Sequence, residues 1–135
     1  MPLIQWNAGY SVGVASLDGQ HQQLIGILNE LHEAMAAAKA DSVLTEIVTR
    51  LGSYARMHLD TEERLLKTNS YPEFAQHKAQ HDAYVSKVQA FQSELGSRRV
   101  AVTVELLQFL KKWWMDHILG TDRRYTEFLN QRGVR

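Results

Sequence analysis

Proline occurs only at Pro2 and Pro72 in 135 residues, so the backbone is free to be helical over long runs. Those runs carry apolar residues at spacings of three and four, the period of one face of an α-helix. Leu24, Ile25, Leu28, Leu31 and Met35 form a first stripe, with Asp18 expected as its N-cap. Leu44, Ile47, Val48, Leu51, Tyr54 and Ala55 form a second, behind Asp41 or Ser42 as cap. Asn69-Ser70-Tyr71-Pro72 reads as a stop and restart, with Pro72 near the first turn of a third helix. That helix carries Phe74, Tyr84, Val85, Val88, Phe91 and Leu95 before Gly96-Ser97 interrupts it. Val100, Val102 and Val104 alternate like a strand, but Leu106, Leu107, Leu110, Trp113 and Trp114 restore the helical period. All of these are therefore read as one fourth helix.

The expected fold class is all-α, an up-down-up-down four-helix bundle with short links. An irregular N-terminal arm holding Trp6, Gly9, Tyr10 and Gly13 precedes it, and Tyr125, Phe128 and Leu129 cue a short C-terminal helix over about Asp122 to Asn130. No internal repeat is visible, and the length suits a single domain over 1–135.

Composition removes several function classes. The 15 basic and 15 acidic residues cancel, and Arg98-Arg99, Lys111-Lys112 and Arg123-Arg124 read as solvated helix faces rather than a basic patch. No nucleic-acid or anionic-membrane partner is expected. Cysteine is absent, which excludes disulfides, thiolate metal sites and iron–sulfur clusters. The N-terminal MPLIQWNAGY has neither a charged n-region nor an apolar h-region, and the apolar run VAVTVELLQFL is broken by Glu105. The expected compartment is the cytoplasm, without membrane insertion, and the expected state is a monomer.

The informative residues are the polar ones that interrupt the apolar stripes. His21 lies on helix one, His58 and Glu62 on helix two, His77 and His81 on helix three, and His117 on helix four with Asp122 five later. Residues four apart lie about 6 Å apart along the axis on one face, so His58/Glu62 and His77/His81 can each chelate from one helix. His117 and Asp122 do not share a face of a regular α-helix. A widened π-type turn or a helix end around Gly120 is expected to bring both inward. His32, about 16 Å further along helix one than His21, has Ala36 rather than a ligand at i+4 and reads as a packing histidine. Glu63, turned about 100° from Glu62, is expected to be solvated.

A single inward histidine is usually a core residue satisfied by a neighbour. Seven titratable residues on four stripes are different, because burying two carboxylates with five imidazoles costs several kcal/mol unless cations compensate them. Seven ligands exceed the needs of one metal and suit two, with the carboxylates free to bridge. The segment His77-Lys78-Ala79-Gln80-His81 lacks the glutamate that HExxH zinc proteases place after the first histidine. Paired copper favours histidine alone, and di-iron oxidases and ferritins use mostly carboxylates with Glu-x-x-His pairs. Nitrogen-rich ligation at iron suits dioxygen binding that reverses.

The elements Leu17-Asp18-Gly19-Gln20-His21, His58-Leu59-Asp60-Thr61-Glu62-Glu63, His77 to His81 and His117-Ile118-Leu119-Gly120-Thr121-Asp122 resemble the hemerythrin family, specifically bacterial hemerythrins. Trp6 and Tyr10-Ser11-Val12-Gly13-Val14 resemble that family's N-terminal arm. The resemblance implies two iron ions: one held by His77, His81 and His117, the other by His21 and His58 with an open position. Glu62 and Asp122 would bridge them, together with a solvent-derived hydroxide or oxo group. It implies reversible dioxygen binding for storage, delivery to an oxygen-consuming enzyme or sensing, rather than catalysis. The competing functions are a di-iron peroxidase, oxidase or nitric-oxide-handling enzyme, and a module in which the metal is only structural. Leu24, Leu59, Trp113, Trp114 and Ile118 are the expected oxygen pocket. Trp113-Trp114 departs from the Trp-Leu common before this histidine in the family, so Trp114 either packs the core without consequence for the site or narrows the pocket and slows ligand entry.

Overall fold

The computed structural model describes residues 3–97 and 99–135; Met1, Pro2 and Arg98 lie outside them. An arm with one 3₁₀ turn, Ala8–Tyr10, leads into α1 (Ala15–Ala36), α2 (Ala40–Thr68), α3 (Phe74–Ser93) and α4 (Arg99–Lys112). The fourth helix continues as a π-helix over Trp113–Thr121, tightens to a 3₁₀ turn over Asp122–Tyr125 and ends in α5, Thr126–Gln131. The helices form the up-down-up-down bundle, α1 packing on α2 and α4, and α2 on α3. None of the described helices is long and apolar enough to cross a membrane.

The stripes bury as their periodicity demands, with Leu24, Leu28, Leu31, Leu44, Val48, Leu51, Leu106 and Leu110 all at 0 % exposure. The core is divided. A long cluster runs from Leu24, Leu59, Tyr84 and Ile118 to the far end of the bundle. A smaller one joins Val12, Val14, Leu17, Leu66, Tyr71, Tyr125 and Leu129. Each helix carries its metal-ligand candidates between the two clusters: His21 between Leu17 and Leu24, Glu62 between Leu59 and Leu66. Leu66 continues the helix-two stripe, because the residue four after Glu62 keeps its face, while Leu65 is only half-buried.

The helix starts differ from expectation. α1 begins three residues before Asp18, whose carboxylate reaches back to accept from the Val12 amide at 2.8 Å and the Ser11 hydroxyl at 2.5 Å. Asp18 therefore fastens the arm rather than capping the helix. α2 starts at Ala40 without a side-chain cap; Asp41 instead accepts from Arg99 Nε at 2.7 Å, and Ser42 Oγ donates to the Lys39 carbonyl at 2.8 Å. Arg99 thus ties the start of α4 to the start of α2 and is not a solvated face.

Two non-glycine residues close helices in the left-handed region, Ala38 at φ 57° after α1 and Ser70 at φ 58° after α2. The Lys39 amide reaches the Ala34 carbonyl at 2.7 Å, and the Tyr71 amide the Leu66 carbonyl at 2.9 Å, as such closures require. Gly13, at φ +76°, is the opposite case: a Cβ there would stand 2.6 Å from Thr126 Cγ2. Exchanges at these positions should act in opposite directions. Ala38→Gly relieves a left-handed penalty of about 1–2 kcal/mol against a glycine entropy cost of about 0.5–1 kcal/mol, so a net gain of up to ~1.5 kcal/mol is expected. Gly13→Ala should destabilise by at least ~1 kcal/mol. Thermal melts of the two variants check both signs; a lowered Tm for Ala38→Gly would contradict the closure described.

Candidate metal centre

The middle of the bundle holds His21, His58, Glu62, His77, His81, His117 and Asp122, each at most 3 % exposed. α1 contributes His21, α2 the i,i+4 pair His58/Glu62, and α3 the i,i+4 pair His77/His81. The fourth pair depends on the π-helix. In an α-helix His117 and Asp122 would point about 140° apart. Here the Asp122 amide bonds to the His117 carbonyl, five residues back, and both side chains turn inward.

The ligand atoms sort into two groups that share both carboxylates: Glu62, His77, His81, His117 and Asp122, and His21, His58, Glu62 and Asp122. Within each group the atoms lie within 4.8 Å of one another. Glu62 Oε1 lies 2.5 Å from His77 Nε2 and 2.9 Å from His81 Nε2, while its Oε2 lies 3.4 Å from His58 Nε2 and 3.9 Å from His21 Nε2. Asp122 divides likewise, Oδ1 lying 2.9 Å from His77 Nε2 and 3.0 Å from His117 Nε2, and Oδ2 3.2 Å from His21 Nε2. Each carboxylate turns one oxygen to each group.

These contacts are close, yet several are not hydrogen bonds. Among the described residues, both Asp122 oxygens and His21 Nε2 are buried without a hydrogen-bond partner, although imidazole and carboxylate stand at hydrogen-bond distance. His81 Nε2 and His117 Nε2 also face each other at 3.2 Å. Orphaned buried polar atoms normally cost free energy, whereas lone pairs converging on common points are what cations require. The donor set fits two metal ions.

Electrostatics prepare the same end. Burial pushes His58 down to about 4 despite the Glu62 charge, so it is a neutral imidazole with a free lone pair. Burial and Asp122 would raise Glu62, but His77 and His81 outweigh them and hold it at about 2. Burial likewise fails to raise Asp122; His117 and its neighbours keep that carboxyl well below its ordinary value. Burial lowers His77 less than the adjacent Asp122 and Glu62 carboxylates raise it, leaving it at about 9. Without metal, a proton on His77 partly balances the two carboxylates.

Four partners were not legible in the sequence. His58 Nδ1–H donates to Gln20 Oε1 at 2.6 Å, His81 Nδ1–H to Glu63 Oε2 at 2.8 Å and His117 Nδ1–H to Gln80 Oε1 at 2.6 Å. The Tyr125 hydroxyl donates to Glu62 Oε2 at 2.9 Å. Glu63 is thus a ligand partner and not a solvated side chain. A residue 100° off the inward line of a bundle helix faces the neighbouring helix, not water. The available signal was adjacency, since Gln20, Glu63 and Gln80 each flank a ligand residue.

Leu24, Leu59, Trp114 and Ile118 are buried in one cluster, and the Trp114 ring stands edge-on to His21 with centroids 6.4 Å apart. Trp113 lies elsewhere. It stacks on His117 at 3.9 Å and 10°, and contacts His81 and Tyr84, so it covers the five-donor group and does not line a pocket with Trp114. His32 is half-buried and belongs to neither group.

The family model for the hemerythrin HHE cation binding domain matches residues 12–129. This chain belongs to the hemerythrin family. It is 28 % identical over 127 residues to a bacteriohemerythrin of Stenotrophomonas maltophilia, covering 94 % of this chain and 82 % of that protein. It is 30 % identical over 120 residues to a hemerythrin-like protein of Naegleria gruberi, covering 89 % and 88 %. A wild-type hemerythrin crystal structure superposes with a TM-score of 0.83 at 29 % identity, covering 94 % of this chain and 98 % of that one.

The shifts give the metal-free protein a pH dependence with two limbs. His58, lowered in the fold, must be charged on unfolding below its ordinary 6.5, so stability falls as pH drops from 6.5 towards 4. His77, raised in the fold, contributes its full stabilisation below 6.5 and loses it as pH rises through 9. Metal-free protein should melt highest near pH 6.5 and lower on both sides. A melting temperature still rising between pH 7 and 9 would contradict the His77 environment.

Proposed function

We propose that this hemerythrin-family chain holds two iron ions between its helices and binds dioxygen reversibly at one of them. The observation that carries the reading is the division of both carboxylates: Glu62 and Asp122 each offer one oxygen to each histidine group. One group has five protein donors and the other four. With one shared solvent-derived hydroxide or oxo bridge, the first would complete six ligands and the second would keep a position open. Iron held by these residues would supply the redox chemistry that reversible dioxygen binding needs.

The protein's part is to bind, orient and exclude. His77, His81 and His117 would saturate one metal, and His21 and His58 would hold the other. Glu62 and Asp122 would bridge, their negative charge balancing the cations in a site with no access to bulk water. Leu24, Leu59, Ile118 and Trp114 would form an apolar wall on the His21/His58 side, where the Trp114 indole would narrow the space open to a water molecule or an anion. Those four side chains offer no acid or base themselves, so such a wall favours binding over turnover. Storage, delivery to an oxygen-consuming enzyme and sensing are all served by that chemistry.

Metal analysis of iron-replete protein should give two irons per chain, and the reduced protein should change its absorption reversibly on cycling between oxygen and argon. Rapid, irreversible conversion to the diferric form would overturn binding in favour of oxidation. Glu62→Ala and Asp122→Ala should each impair both irons as a unit. Trp114→Leu removes part of the wall and leaves a cavity. It should autoxidise faster and take up azide faster with two irons retained; rates equal to wild type would reduce Trp114 to core packing.

A further inference from the structure

Three of the five inward imidazoles are held from outside the cluster, and the pattern is directional. Gln20 on α1 accepts from His58 on α2, Glu63 on α2 from His81 on α3, and Gln80 on α3 from His117 on the π-helix. Each acceptor fixes its ring with Nδ1 protonated and the Nε2 lone pair turned inward. His21 and His77 have no such partner at Nδ1. The acceptors are unequal. Two are neutral amides, and the third, on His81, is a carboxylate.

We propose that Glu63 is a positioning residue that makes the two metals unlike, strengthening His81 as a donor so that the metal in the five-donor group is the more reducing of the pair. The inference rests on the dinuclear reading above. A carboxylate acceptor forms a stronger, charge-assisted hydrogen bond than an amide and leaves the imidazole richer in electrons at Nε2. The bond is short, at 2.8 Å, and Glu63 is 22 % exposed, so water competes with it only partly. Its nearest cation is Lys78, whose Nζ stands 4.0 Å away and is engaged by Asp82 at 3.0 and 3.2 Å, so the carboxylate is not neutralised by a close pair. Among the described residues, neither histidine of the four-donor group has an anionic outer partner: Nδ1 of His58 has an amide and that of His21 none. The asymmetry in outer partners therefore runs parallel to the asymmetry in donor count, and both favour loss of an electron from the five-donor metal.

Two substitutions separate charge from contact. Glu63→Gln keeps an acceptor of the same length and removes the charge; Glu63→Leu removes both. Iron release to a chelator and the reduction potential of the iron pair are measured on each loaded protein, and melting temperature on each metal-free protein. Glu63→Leu should release iron about 10- to 100-fold faster. Glu63→Gln should release iron at nearly the wild-type rate yet shift the pair's reduction potential to more positive values, a change that a purely structural role would not produce. Restoring the carboxylate one methylene shorter, with Glu63→Asp, should bring the potential part of the way back. Wild-type protein that takes up fewer than two irons would overturn the dinuclear reading and this inference with it. Two irons in wild type with an unchanged potential in Glu63→Gln would overturn this inference alone.

Discussion

Two carboxylates and five imidazoles buried in one layer are the constraint on which the rest of the structure depends. Left unbalanced, such a layer would cost several kcal/mol per charge. It also divides the core, with the Leu24–Ile118 cluster on one side and the Leu17–Leu129 cluster on the other. Every helix must therefore cross from one apolar region to the other at the same height. That fixes the relative register of four helices more sharply than hydrophobic packing alone, since leucine stripes tolerate a slide of one turn and shared ligands do not. Iron, in the reading proposed here, would turn the costliest layer of the fold into its strongest cross-link.

The fourth helix pays attention to this layer at the expense of its own regularity. Ligands five apart cannot share an α-helical face, so the chain widens to a π-helix between Trp113 and Thr121 and then tightens at Asp122. The widening reaches its neighbours as well. Trp113 and Trp114 are consecutive, yet one stacks flat on His117 and the other meets His21 edge-on. A tandem pair is thus split between the two histidine groups, where a reading of the sequence alone assigns both to one pocket.

That split shows where sequence periodicity stops being informative. Stripes such as Leu44-Ile47-Val48-Leu51 and pairs such as His77/His81 are properties of one helix about its own axis, and they were legible. The need for an irregular turn between His117 and Asp122 was legible for the same reason, because a spacing of five contradicts the helical period. Glu63 was not, because its environment is set by how closely α3 approaches α2, which no single-helix wheel contains. Asp18 failed similarly: an aspartate before an apolar stripe is a good cap in isolation, but here the arm supplies the amide and hydroxyl that claim its carboxylate. Residues whose partners lie on another element are those the sequence leaves undetermined.

The arm itself follows from this geometry. It has little regular structure, so its backbone groups need partners from elsewhere. The Val12 amide goes to Asp18, the Val12 carbonyl to Thr126 and the Gly13 carbonyl to Asn130, joining the first residues of the fold to the last helix. Further back, Asn29 both accepts from the Ile4 amide and donates to its carbonyl. Between these fastenings Tyr10 stands edge-on against Trp114, 5.4 Å between centroids, and Trp6 against Tyr10 at 6.0 Å. Trp114 is in turn edge-on to His21, so an unbroken aromatic column runs from the surface of the arm to the four-donor group. The four-donor side of the layer is therefore covered by aromatic residues that contribute no donor. In the dioxygen-binding reading, a position left open on that side would stay usable only while water is kept from it, and the arm, fastened at both ends, would supply that cover.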